Sequence, residues 1–123
     1  MKKIVIRIGD VALEAELNQS QTSQMIWNAL PLEGRGQNWG DEIYFRIPVD
    51  APPENAVATV SKGDIAYWPP GNAFCIFYGP TPASEGDEIV PASPVNIIGQ
   101  VTSDVEVLKD LKMPETVRVE KGM

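Results

Sequence analysis

The sequence predicts a mainly β domain closed into a barrel, with two short helices, and two observations lead there. Short runs of period-2 hydrophobic alternation recur along the chain, separated by Gly, Pro and Asp turn signals, whereas only two segments carry helical spacing. Many short strands with few helices fit a closed barrel better than an open α/β sheet, and closure leaves no strand edge unpaired. No internal repeat or change of composition marks a second domain, so residues 1–123 read as one.

The elements follow in order. Ile4, Ile6 and Ile8 alternate with Lys3, Val5 and Arg7, and Val11, Leu13, Ala15 and Leu17 alternate with Glu14 and Glu16. With Gly9-Asp10 between them, these two runs read as a hairpin. The polar stretch Asn18 to Thr22 offers N-cap residues for a helix whose apolar face is Met25, Ile26, Ala29 and Leu30, stopped at Pro31; Trp27 lies off that face. Gly34 to Gly40 reads as a glycine-rich loop. Asp41 to Pro48 reads as a strand with Ile43, Phe45 and Ile47 on one face and Glu42, Tyr44 and Arg46 on the other. Short strands are expected at Val57 to Val60, at Ile65 to Trp68 and at Ala73 to Tyr78, the last two separated by Pro69-Pro70-Gly71. The acidic, Pro- and Ser-rich stretch from Ser84 to Pro94 is a loop with room for a strand at Glu88 to Val90, and Val95 to Val101 is a buried strand. Ser103-Asp104-Val105-Glu106 fits a capping box for a second helix with Val105, Leu108 and Leu111 inward. Glu115 to Lys121 alternates as a final strand.

Composition excludes several kinds of chemistry. The formal net charge is -7 and the ten basic residues are scattered, so the chain lacks the clustered cations that nucleic-acid binding needs. It has no histidine and one cysteine. That removes His-based acid–base catalysis, Ser-His and Cys-His nucleophile pairs, internal disulfides and His-containing zinc sites. Neither a metal nor any other cofactor is expected. Arg7 and Asp10 interrupt the N-terminal apolar run, so no signal peptide or membrane span is expected, and the predicted location is cytoplasmic.

Two stretches carry a family resemblance. The run Gly71 to Tyr78, with Phe74 and Ile76 at its centre, resembles the cyclophilin sequence Gly-Ser-Gln-Phe-Phe-Ile, and Ile97-Ile98-Gly99-Gln100-Val101 is similar to the cyclophilin strand before the second helix. Gly40 to Phe45 and the Pro/Gly/aromatic centre from Trp68 to Pro82 look closest to small prokaryotic cyclophilin-like proteins of uncharacterised function. The resemblance implies a barrel of about eight strands closed by two helices. It also implies a prolyl isomerase site, in which an Arg stabilises the twisting amide beside a hydrophobic proline pocket, against a barrier of about 18–20 kcal/mol. Arg46 falls where that Arg would stand. Ala73 and Cys75 fall where the isomerases carry Gln and Phe, and no His exists to complete the set.

A binding module is therefore favoured over an enzyme, the alternative being a prolyl isomerase with a degenerate site centred on Arg46. The candidate ligand-binding residues are Glu42, Tyr44, Arg46, Trp68 and Tyr78 on the outer barrel face, facing a peptide or a small molecule. The plain alternative for Glu42, Tyr44 and Arg46 is a solvated strand face with one ion pair. Trp39, Tyr67, Trp68, Phe74, Phe77 and Tyr78 suit either a binding surface or a core; Phe74 and Ile76 are assigned to the core, while Trp68 and Tyr78 stay open. Cys75 reads as a buried structural thiol, and the acidic Asp41-Glu42 and Glu85 to Glu88 as solvated loop residues. Gly34-Arg35-Gly36 lacks the lysine of a phosphate-binding loop. The sequence leaves the oligomeric state undetermined.

Overall fold

Alternation becomes register in the first hairpin. In a computed structural model, which describes residues 2–122, β1 (Lys2–Ile8) pairs antiparallel with β2 (Val11–Leu17), placing Ile6 opposite Leu13 and Ile4 opposite Ala15. All four are buried. Gly9 turns the chain at φ +55, a left-handed conformation that a side chain would strain. Helix α1 (Gln21–Ala29) follows, then β3 (Leu32–Asn38), β4 (Glu42–Arg46), β5 (Asp64–Trp68), β6 (Ala73–Phe77), β7 (Asn96–Val101) and β8 (Glu115–Lys121). The eight strands close into one antiparallel barrel in the order β1-β2-β7-β5-β6-β4-β3-β8. The single-domain reading is compatible with that closed ring, since β8 at the end of the chain pairs with both β1 and β3.

Four local expectations are corrected. The stretch read as a glycine loop is strand β3, in which Gly34 and Gly36 let neighbours approach closely: a Cβ on Gly34 would sit 2.8 Å from the Phe45 ring, and one on Gly36 2.6 Å from Val117. The strands expected at Val57 to Val60 and Glu88 to Val90 are isolated bridges, Val57 to Val95 and Val60 to Ile89. Helix α1 buries Thr22, Ser23 and Ile26 and leaves Met25 exposed. It can bury hydroxyls because both are bonded: Ser23 Oγ donates to the Ile98 carbonyl at 2.7 Å and Thr22 Oγ1 to the Glu54 carboxylate at 2.7 Å. The second helix is a 3-10 segment, Val105–Asp110. It is capped by Asp104, while Ser103 Oγ instead accepts from the Glu14 amide at 3.0 Å.

The barrel has two apolar layers. Ile4, Ile6, Ile8, Phe45, Tyr67, Phe74 and Ile76 belong to the interior. A second cluster lies outside the wall and contains Ala66, Ala73, Cys75, Phe77, Val60, Ile89 and Val95. Strand β6 is thus covered on both faces and every one of its residues is buried, which explains its unbroken apolar run. The 3-10 turn Pro69–Gly71 joins β5 to β6, and Asn72 leaves it in the left-handed region at φ 50. No helix among the described residues is long and apolar enough to cross a membrane.

Candidate functional site

The outer face of β6 presents small side chains in register with larger ones. Ala73 stands between Arg46 on β4 and Trp68 on β5, and Cys75 stands between Tyr44 and Ala66. Small residues on the central strand leave a trough between the aromatic groups on either side. The trough is a pocket of about 210 Å³ lined by Trp39, Glu42, Tyr44, Trp68, Ala73, Cys75, Pro91, Ala92 and Val95.

The walls are held from several directions. Trp39 sits on the β3–β4 turn, where its amide donates to the Glu42 carbonyl at 2.9 Å and the Asp41 amide donates to the Pro80 carbonyl at 2.9 Å. Gly40 takes φ +60 there, and a Cβ on it would lie 2.8 Å from the backbone of Thr81. Trp68 Nε1 donates to Ser93 Oγ at 2.7 Å, tying the end of β5 to the loop before β7. Ser84 Oγ accepts from the Thr81 and Val90 amides at 3.0 and 3.1 Å, and Thr81 Oγ1 donates to the Val90 carbonyl. These bonds make the Pro80 to Pro94 segment an ordered outer wall.

Glu42 is the unusual member. Its residue is only 7% exposed, and among the described residues it enters no ion pair. Burial raises its pKa above the ordinary carboxylate value, and a hydrogen bond with the Cys75 thiol acts in the opposite direction. Burial also pushes the Cys75 thiol well up, and the neighbouring Glu42 charge adds to that shift, so Cys75 stays a protonated thiol and a poor nucleophile. Glu42 is therefore not the solvated acidic residue that its sequence setting suggests.

Of the residues singled out in the sequence, the structure brings Glu42, Tyr44 and Trp68 together in this pocket. Arg46 shares their strand face but is exposed and is not among the lining residues. Tyr78 is buried with the interior cluster, its hydroxyl pKa raised first by burial and then by the Asp41 charge. Trp39 was legible as part of the central aromatic set but had no assigned role. Val95 was legible only as the start of a buried strand, and Pro91 and Ala92 only as loop residues; none pointed to the site, because a strand's outer neighbours depend on how a distant loop folds back. Among the described residues no group of three or more His, Cys, Asp and Glu side chains is placed to hold a metal ion.

Comparison with known proteins adds the lineage. No curated protein matches the chain. The solution structure of a hypothetical protein from Archaeoglobus fulgidus is similar over 98% of this chain and 95% of that one, with 40% identity and a TM-score of 0.85. The family model described as cyclophilin-like matches residues 2–120. With the eight-stranded barrel and that match along almost its whole length, the chain belongs to the cyclophilin-like family.

Proposed function

We propose that this protein is a binding module that takes a small ligand, or one side chain of a peptide, in the pocket of Trp39, Glu42, Tyr44 and Trp68, and that it does not isomerise X-Pro bonds efficiently. The observation that carries this reading is Glu42: a carboxylate without an ion-pair partner, buried in an apolar recess and opening onto it. Burying an unpaired charge costs stability, and such a cost is characteristic of a binding site, where a ligand completes the set of partners. Apolar walls with a few converging polar groups are also the usual make-up of a ligand site.

The isomerase alternative has less support. Arg46, the one residue available to stabilise a twisted amide, lies outside the pocket lining. The two β6 residues that face the pocket, Ala73 and Cys75, supply neither the amide nor the ring that the isomerases use there. Two measurements test the reading. Isomerisation of an X-Pro peptide should proceed at the uncatalysed rate with both the native protein and Arg46→Ala. An acceleration that Arg46→Ala abolishes would establish the isomerase instead. In NMR titrations with small molecules and short peptides, ligands should shift the indole signals of Trp39 and Trp68 and leave Trp27 in place. Shifts confined to other surfaces would refute the pocket as the binding site.

A further inference from the structure

We infer that the ligand group seated in this pocket is a compact ammonium cation, held between the Glu42 carboxylate and the aromatic side chains of Trp39, Tyr44 and Trp68. The inference rests on the reading of the pocket as a ligand site and specifies its chemistry.

Three of the nine lining residues are aromatic, from the β3–β4 turn, β4 and β5, and they surround a recess whose one carboxylate is Glu42. Aromatic faces carry negative electrostatic potential, and a cation close to them gains more as it loses water. The ionised carboxylate adds negative charge in the same recess, with no Lys or Arg of the described residues paired to it. An anionic ligand would meet repulsion from Glu42. A neutral apolar ligand would dry the carboxylate further and leave it only the weak Cys75 thiol as a partner, which is costly. A cation is the occupant that satisfies both the rings and the carboxylate.

The form of that cation follows from the remaining features. A bare divalent ion needs several oxygen ligands, and among the described residues no cluster of three acidic, His or Cys side chains is available. A guanidinium would leave one arm of its planar fork unmatched, since bidentate pairing engages a carboxylate along a fixed edge and strands the other donors against apolar walls. A volume near 210 Å³ lies below the roughly 300–1,000 Å³ of drug-sized pockets, so it suits a side-chain-sized group. An ammonium on a short aliphatic stem, primary or methylated, has the required charge and size. The chain's net charge of -7 further favours the approach of a cation.

Two sources share this chemistry, a free alkylamine and the side chain of a lysine or methyl-lysine in a peptide. The test therefore pairs each cation with an uncharged counterpart. Choline is compared with 3,3-dimethylbutan-1-ol, and peptides carrying lysine or trimethyl-lysine are compared with the same peptide carrying norleucine. Binding is read from the indole signals of Trp39 and Trp68. The cationic member of at least one pair should bind about tenfold tighter than its neutral counterpart, and Glu42→Gln should erase that preference. Trp39→Leu, which keeps an apolar wall but removes a ring, should weaken the cation and spare the neutral probe; it decides the matter if Glu42→Gln does not fold. Preference for choline supports a small-molecule source, and preference confined to the peptides supports a protein source. Equal binding of charged and neutral probes at Trp39 and Trp68 would overturn the ammonium inference while leaving the pocket a ligand site. If no probe of either kind moves those signals, the ligand-site reading falls as well.

Discussion

Glu42 and Glu54 show opposite uses of a carboxylate. Glu54 reaches from the loop after β4 to the start of α1 and accepts from the Gln21 and Thr22 amides at 3.0 and 2.9 Å, capping donors that the helix cannot satisfy itself. Those hydrogen bonds, first the one from the Thr22 side chain, lower its pKa from 4.5. Its contribution is therefore present above pH 4.5 and is lost as pH falls through the lowered folded value. Glu42 runs the other way. Burial raises its pKa above 4.5, so the folded state holds the proton more tightly than the unfolded chain. At low pH the group is neutral in both states and costs nothing. As pH rises through its raised folded value, the unfolded carboxylate is already ionised, and stability is lost. Glu42→Gln should accordingly raise the melting temperature at pH 7 by a few degrees, about 1 kcal/mol of relieved desolvation, and the gain should vanish as the pH is brought below the unfolded value. Thermal melts of both proteins from pH 3.5 to 8 check this. A loss of stability at pH 7 would show that Glu42 has a stabilising role, contrary to the site reading.

Among the elements, glycines mark where strands crowd. A Cβ on Gly99 of β7 would stand 2.0 Å from the Glu16 carbonyl oxygen of β2, a backbone atom that cannot swing aside. Gly99 also pairs with Ile65 at the point where the β5–β7 register shifts. Gly99→Ala should destabilise the fold by roughly 3 kcal/mol or more, near the upper end of ordinary overpacking, because β2 and β7 must separate to admit the methyl group. Denaturant melts measure it, and a cost below about 1 kcal/mol would mean that the two strands yield easily. The same crowding limits what the sequence reveals. Ile4-Ile6-Ile8 and Ile43-Phe45-Ile47 announce their strands because their alternation needs no partner to be seen. Gly34 and Gly36 conceal β3, since the reason for them lies on Phe45 and Val117, far along the chain. Asp104 displaces Ser103 as the cap for a similar reason: the Ser103 hydroxyl is engaged by the Glu14 amide of the neighbouring strand β2. The site was legible to the extent that its residues lie on one regular strand: Glu42 and Tyr44 share a face by period 2. Tyr78 does not join them, because period 2 from Phe74 and Ile76 carries it into the barrel interior; whether Arg46 joins them depends on where the outer wall folds back, which no local pattern encodes.

For the whole molecule, the two layers should differ in how firmly they are held. The barrel wall is joined by continuous ladders, with β1 and β2 paired over seven residue pairs from Lys2 to Leu17. The outer layer, residues 57–61 and 79–95, is joined within itself by two isolated bridges and is held to the barrel by separate bonds such as Asp41 amide to Pro80 carbonyl and Trp68 indole to Ser93 hydroxyl. Local opening draws on the weakest-held segments, and its free energy ranges from near zero up to that of global unfolding. The amides of Val57, Val60 and Val95, each bonded across one of these bridges, should therefore exchange with deuterium well before those of Ile6, Leu13 and Ile76. The difference bears on function, because Pro91, Ala92 and Val95 form one side of the pocket while Glu42, Tyr44 and Cys75 stand on the barrel. If the pocket binds a ligand as proposed, the barrel half would supply the charge and the rings, and a more easily opened outer half would admit the ligand. A ligand bridging the two halves stabilises only the closed form, so saturating it should slow exchange at Val95 by a factor approaching its concentration over its dissociation constant, with little change in β1 and β2 below the global limit. Uniform protection across both layers, with or without ligand, would instead mean that barrel and outer wall open as one cooperative unit, and that the pocket fills without the wall moving.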